Sequence, residues 1–185
     1  MEKISDKQIK ITLTKKKISF MILSAVAMAL VSFFFREHWV FSIQSFLLYG
    51  LLAYISLIDD ELHLCPDWAH LAIIGLSLIG IGYAFIIKDV LFLIQSGLGF
   101  ILCPLPILAT TVFSKSAPIG GADIKLVAVL GLTLGMTRGY IALIIALLLG
   151  VIVNFILVKK GKRTKEDAFA FIPYLAFGAM IANFL

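Results

Sequence analysis

Eleven acidic residues occur among 185, and four of them crowd into one short stretch, DDELHLCPD, as Asp59, Asp60, Glu61 and Asp67. A further one, Asp123, stands alone in APIGGADIKL, directly behind Gly120, Gly121 and Ala122 and two residues before Lys125. Two carboxylates held close together do not both ionise readily, so one of them keeps a proton. The ionised member can then take a proton from water, and the protonated member can polarise and protonate a carbonyl. Amide hydrolysis by such a pair requires neither a metal nor a nucleophilic serine. A plainer reading of Asp123 is also open: a carboxylate at a helix start meets unpaired N–H groups and the helix dipole, so it would cap an apolar helix beginning at Ile124. That reading accounts for Asp123 but not for the acidic stretch expected at the same depth. Gly120 and Gly121 let the backbone turn tightly and approach a neighbour closely.

Other constellations are weaker. His63, Cys65, Asp67 and His70 lie close in sequence, and the spacings 63 to 67 and 63 to 70 would share a helix face, but Pro66 interrupts such a helix. Nothing resembles HExxH, and neither a metal nor another cofactor is expected. Ser56, Ser114 and Ser116 have no evident histidine partner. Cys65 and Cys103 form neither a disulfide framework nor a metal-finger spacing. Trp39, Trp68 and Tyr83 read as interface aromatics. Gly131 and Gly135 form a GxxxG suited to a close helix contact, with Gly97 and Gly99 expected to do similar work.

The elements that must position these carboxylates are apolar. The chain is 61% hydrophobic and 15% charged, with a mean hydropathy of +1.06, against about 25% charged residues in a soluble domain. Apolar runs cover about 18 to 35, 39 to 58, 68 to 87, 90 to 112, 124 to 137, 140 to 158 and 168 to 185. Pro104 and Pro106 predict a kinked or early-ending fourth span. The fifth is too short to cross about 30 Å of hydrocarbon alone. It either lies partly at the headgroups, runs perpendicular to the membrane, or continues past Arg138-Gly139 into the sixth. The fold expected is therefore an all-α polytopic membrane protein with six or seven transmembrane helices. A basic cytoplasmic segment, residues 1–17, precedes a membrane-embedded domain, residues 18–185. The first apolar run lacks a small-x-small cleavage pattern and reads as a retained anchor rather than a secretory signal.

The net charge of +5 lies in short blocks flanking apolar runs, which argues for topology signals and against nucleic acid. With the N-terminus inside, thirteen of the sixteen lysines and arginines fall in cytoplasmic segments, leaving Arg36, Lys88 and Arg138 outside. That topology puts the segments carrying Asp59 and Asp123 on the cytoplasmic side. The lysines at 159 to 165 serve as a topology determinant or a site for anionic lipid.

These motifs, in this order, resemble the type IV prepilin peptidases, also called type IV leader peptidases, which are GxGD-type aspartyl proteases. The family's first motif is an apolar helix ending in Asp, with Pro-Asp seven residues on; LIDDELHLCPDW matches it through Asp59, Pro66 and Asp67. The second, GxGD followed by an apolar residue, Lys and Leu, is matched by GGADIKL through Gly120, Asp123, Lys125 and Leu126, with Ala122 in place of the second glycine. Asp60 stands where family members usually carry an apolar residue, and Glu61 supplies their frequent second acid. A late Pro-aromatic-Leu-Ala-x-Gly run is matched by Pro173, Tyr174, Leu175, Ala176 and Gly178.

The resemblance implies an endopeptidase in a bacterial inner membrane, with Asp59 and Asp123 catalytic and prepilin or pseudopilin precursors as substrates. The cut would follow a Gly between a basic leader and an apolar helix. Asp60, Glu61 and Asp67 would meet the basic leader, with Gly120, Gly121 and Lys125 in support. Lys125 either tunes Asp123 or extends to the headgroups. The paired CxxC motifs associated with N-methylation are not present in this sequence, so peptidase activity without methyl transfer is expected. Two other classes compete: a non-catalytic scaffold of a pilus or secretion assembly, and a small transporter. The latter would need ionisable groups near the membrane midplane, which these spans essentially lack.

Overall fold

The computed structural model describes residues 39–113, 120–161 and 170–183, the side chains of Glu61 and Leu62 excepted. The basic segment 1–17, the first apolar run, Ser114 and Ser116, and the basic loop beyond Gly161 lie outside the described residues.

Every described element is helical. Helix α1 (Trp39–Leu62) has 24 residues, about 36 Å at 1.5 Å per residue, so it outlasts the hydrocarbon core and carries polar residues on its last turn. It runs one turn further than the apolar pattern predicts, because Asp59 continues the buried stripe of Leu48, Leu52 and Ile55 at helical spacing. His63 then stops it in a left-handed conformation (φ 52°), with its N–H bonded to the Asp59 carbonyl at 2.9 Å. Helix α2 (Asp67–Ile86) starts behind Pro66, whose extended backbone suits a helix entry.

Helices α3 (Val90–Leu102) and α4 (Leu105–Phe113) form one 24-residue apolar unit broken at Cys103 and Pro104, where the prolines predict a kink. Pro106 has no N–H to offer the Leu102 carbonyl, and the Tyr140 hydroxyl donates to that oxygen instead, at 2.8 Å. Helices α5 (Gly121–Leu134), α6 (Met136–Lys159) and α7 (Ile172–Ala182) complete the described chain. Among the described residues four units are long and apolar enough to cross a membrane: α1, α2, α3 with α4, and α6. Their outer faces expose residues such as Leu71, Phe85, Leu91, Ile101, Leu148 and Phe155, as a lipid-facing surface requires.

The short fifth segment is a separate helix, neither continuous with its neighbour nor interrupted at Arg138-Gly139. The break falls at Gly135, whose φ of 82° terminates α5 and is readily available only to glycine. Gly139 stays inside α6, where any side chain would strike the Cys103 sulfur. The Gln95 Oε1 accepts the Thr137 N–H at 3.2 Å and so satisfies one orphan donor at the start of α6.

Helix α5, about 21 Å long, does not need to span, because it packs against α2, α3 and α6. Leu126, Val127, Leu130 and Leu134 are buried there. Gly99 and Gly131 face each other so closely that a methyl group on either would collide with the other's carbonyl. These are two of the expected glycine contacts. Gly135 shares in this contact, its backbone lying 2.9 Å from where a side chain at Gly99 would stand, and it also ends a helix, whereas Gly97 has open space around it. Helix α7 packs between α1 and α6, with Gly178 against the Ala142 backbone and the Tyr49 hydroxyl donating to the Ala179 carbonyl at 3.1 Å.

Candidate active site

Four helix ends meet at one end of the bundle: the C-terminus of α1 and the N-termini of α2, α5 and α7. Hydrogen bonds tie α7 to α1 and α2 to α5 there.

Asp59 lies on the last turn of α1 and is 6% exposed. Its Oδ2 accepts the Ile172 N–H at 2.9 Å, and the Phe171 backbone adds a second bond. Phe171 and Ile172 open α7, so the carboxylate sits where a helix has unpaired donors and positive dipole. Pro173 in the same turn has no N–H to satisfy. The late Pro-Tyr-Leu-Ala-x-Gly run thus builds the seat of Asp59 at one end and packs α7 onto α6 through Gly178 at the other.

Asp123 is the third residue of α5 and is half-buried. The helix begins at Gly121 rather than Ile124, so Gly120 holds the cap position and Asp123 is not the cap. The Asp123 N–H bonds the Gly120 carbonyl at 3.0 Å, and its carboxylate turns back so far that a side chain at Gly120 would come within 3.3 Å of Oδ2. Gly120 has φ −56°, open to any residue; glycine serves there for room, not for torsion. Gly121 has open space where a side chain would stand. Ala122 is helical and is not among the residues with positive φ, so alanine in the position of the second motif glycine introduces no strain.

Burial pushes the Asp123 carboxyl up to about 6, the negative charge of Asp59 pushes it the same way, and His70 opposes both. The charge of Asp59 thus reaches Asp123, 64 residues away in sequence. Cys65 marks the space near them. Its half-buried thiol is pushed up to about 12 by burial and then by Asp123, Asp59 and Asp67, in that order. A thiol so disposed stays protonated and is no nucleophile.

The other predicted residues lie further out. Asp60 faces outward on α1, one position beyond the buried stripe. Asp67 and Lys125 are exposed and pair loosely at 4.0 Å, an arrangement worth little in stability. Lys125 thus meets Asp67, and no bond joins it to Asp123. Glu61 belongs to the last turn of α1, its side chain outside the described set. Among the described residues no three His, Cys, Asp or Glu side chains are placed to share a metal ion.

One residue here has a role that the sequence reading missed. His70, weighed there only as a metal ligand or an interface residue, is 6% exposed. Its Nε2 lies 3.0 Å from the Ala122 carbonyl oxygen and 3.7 Å from the Cys65 sulfur. The signal was present: His70, Ile73, Ser77, Gly80 and Ala84 form one buried stripe on α2, and His70 is its first member.

A family model described as the type IV leader peptidase family matches residues 46–155. That stretch runs from within α1 to near the end of α6 and contains both Asp59 and Asp123. No curated protein and no solved structure matches the chain.

Proposed function

The chain belongs to the type IV leader peptidase family, and from that premise we propose an aspartic endopeptidase that removes basic leaders from prepilin-like or pseudopilin-like precursors. Asp59 and Asp123 are its catalytic pair. The observation that carries this reading is that a buried carboxylate on α1 and a half-buried one on α5 lie at one end of the bundle, where the charge of the first acts on the second.

The environments suggest the division of labour. Backbone N–H groups at the start of α7 favour the ionised form of Asp59. Asp123, beside that charge and without a donor to its carboxylate among the described residues, favours the protonated form. Asp59 takes a proton from water as the oxygen attacks the scissile carbonyl carbon, and Asp123 gives its proton to the carbonyl oxygen. Collapse of the resulting diol breaks the C–N bond. The departing nitrogen recovers the proton held on Asp59, and Asp123 regains its own from the collapsing hydroxyl.

The substrate reading follows from depth and charge. A substrate helix lying in the bilayer brings the junction between its leader and its apolar segment to this end of the bundle. The leader's basic residues then meet Asp60, Glu61 and Asp67. Lys159 and Lys160, with the basic loop that follows, favour a cytoplasmic position for the site, hence a cytoplasmic N-terminus, and offer contacts to anionic lipid. On this account residues 18–185 are the membrane-embedded peptidase and residues 1–17 a basic cytoplasmic segment. The test is to incubate the enzyme in detergent or membranes with pilin-like precursors and to determine the new N-termini. Cuts directly after the glycine before the apolar helix support the proposal. Intact precursors across a panel that a related peptidase processes would refute it.

A further inference from the structure

We infer that His70 is a positioning residue for Asp123, holding the peptide group that links Ala122 to Asp123; the inference rests on the catalytic role proposed for Asp123. A carbonyl oxygen only accepts, so the contact of 3.0 Å to the Ala122 oxygen requires a proton on His70 Nε2. The oxygen has two lone pairs and takes this bond alongside its helical one. The bond spans 52 positions in sequence and joins the first turn of α2 to the first turn of α5. It acts on the peptide whose nitrogen belongs to Asp123, and so fixes the direction in which that carboxylate leaves the backbone.

The burial of His70 supports the same conclusion. Its Nδ1 is buried and has no partner among the described residues. A buried nitrogen without a partner is destabilising, and an apolar side chain would fill this place in the α2 stripe without that penalty. The hydrogen bond that distinguishes histidine here is the one to the first turn of α5. Cys65 packs against the same ring edge at 3.7 Å, and its protonated thiol adds no charge. Asp59, Asp123, Cys65 and Asp67 are titratable groups around this corner, with His63 and Asp60 beside Asp59 and Lys125 paired outward to Asp67.

Glutamine and asparagine separate the bond from burial and polarity. In His70→Gln the side-chain amide reaches the place of Nε2, whereas in His70→Asn it stops at the place of Nδ1. Steady-state cleavage of one precursor is measured for wild type, His70→Gln, His70→Asn, His70→Leu and Asp123→Asn, each checked for cooperative melting in detergent. Displacing a catalytic group by about 1 Å can cost 100-fold in rate, so kcat should fall by about 10- to 100-fold in His70→Asn and His70→Leu. KM should stay within about 2-fold of wild type, and His70→Gln should recover most of kcat. Equal kcat for the Gln and Asn variants, or a rise in KM at constant kcat, would overturn the inference even if the Leu variant does not fold. Wild-type kcat in His70→Asn beside an inactive Asp123→Asn would remove the positioning role and leave the aspartyl pair standing. Activity surviving in Asp123→Asn would instead remove the catalytic reading on which it rests.

Discussion

The seats of Asp59 and Asp123 are built from the same parts and differ in one respect. Each aspartate belongs to a buried helical stripe, Leu48-Leu52-Ile55-Asp59 on α1 and Asp123-Val127-Leu130-Leu134 on α5. Each lies near a helix N-terminus. For Asp59 the helix belongs to a neighbour, α7, and the N–H groups at its start donate to the carboxylate from outside. For Asp123 the helix is its own, and the carboxylate folds back against Gly120 without a donor among the described residues. Identical side chains thereby receive different support: backbone donors favour the anion at Asp59, and none among the described residues does so at Asp123. Residue type alone does not set the balance between acid and anion; burial, neighbouring charge and the direction of the nearest N–H groups act on it together.

The comparison is broken most severely by removing either acid function. Asp59→Asn and Asp123→Asn should each lower kcat by at least about 10³-fold, toward the upper range of general acid–base contributions, while both proteins still fold. The amide introduced by Asp59→Asn keeps an oxygen for the Ile172 N–H, so loss of activity there is not loss of the seat.

Alanine separates the two seats by stability. Asp59→Ala leaves a buried N–H at the start of α7 unsatisfied and should destabilise the bundle by about 1–3 kcal/mol, seen as a lower melting temperature in detergent. Asp123→Ala leaves no donor unsatisfied among the described residues and should not destabilise the bundle by the same assay. A pH scan sharpens this contrast. The Asp123 carboxyl is raised in the folded protein, so its contribution favours folding below the ordinary value of 3.8 and is lost as pH rises through about 6. Asp123→Asn should therefore gain stability relative to wild type above pH 6 and not below pH 4.

A smaller effect tests the room given to Asp123. Gly120→Ala places a methyl group 3.3 Å from Oδ2 and should lower kcat by about 3- to 10-fold. Gly121→Ala and Ala122→Gly should stay within about 2-fold, because one has open space and the other a backbone that alanine already fits. The smallest changes belong to the rim. Asp60→Asn and Asp67→Asn should raise KM by about 2- to 5-fold with kcat unchanged, the mark of groups that bind without reacting. A kcat collapse in Asp60→Asn would move the catalytic assignment one residue along α1.

Much of this arrangement is legible in the chain itself. Hydropathy and length identify the long spans, Pro104 and Pro106 mark the break between α3 and α4, and LIDDELHLCPDW with GGADIKL point to the family that the whole-sequence comparison finds. What sequence could not supply are features set by torsion and by tertiary contact. Gly135 and Gly139 look alike in the sequence, yet only Gly135 takes the positive φ that ends α5. The short α5 looks unable to live in a membrane until α2, α3 and α6 are seen to enclose it. The place of Gly120 depends on where a carboxylate three residues later turns. Lys125 looks like a partner for Asp123 until Asp67 appears beside it from α2. His70 looks like one more polar residue near the membrane surface until its stripe is known to face inward.

The measurement that bears most directly on the central claim is a pH titration of the protonated-carboxyl infrared band in wild type, Asp59→Asn and Asp123→Asn. The account predicts a band in wild type that persists well above the ordinary aspartate value, to about pH 6, and is missing in Asp123→Asn. In Asp59→Asn the same band should titrate at lower pH, because the charge that helped to raise Asp123 is gone. A band unchanged by either substitution would mean that the two aspartates do not share their protons, and the paired-carboxylate account would fail.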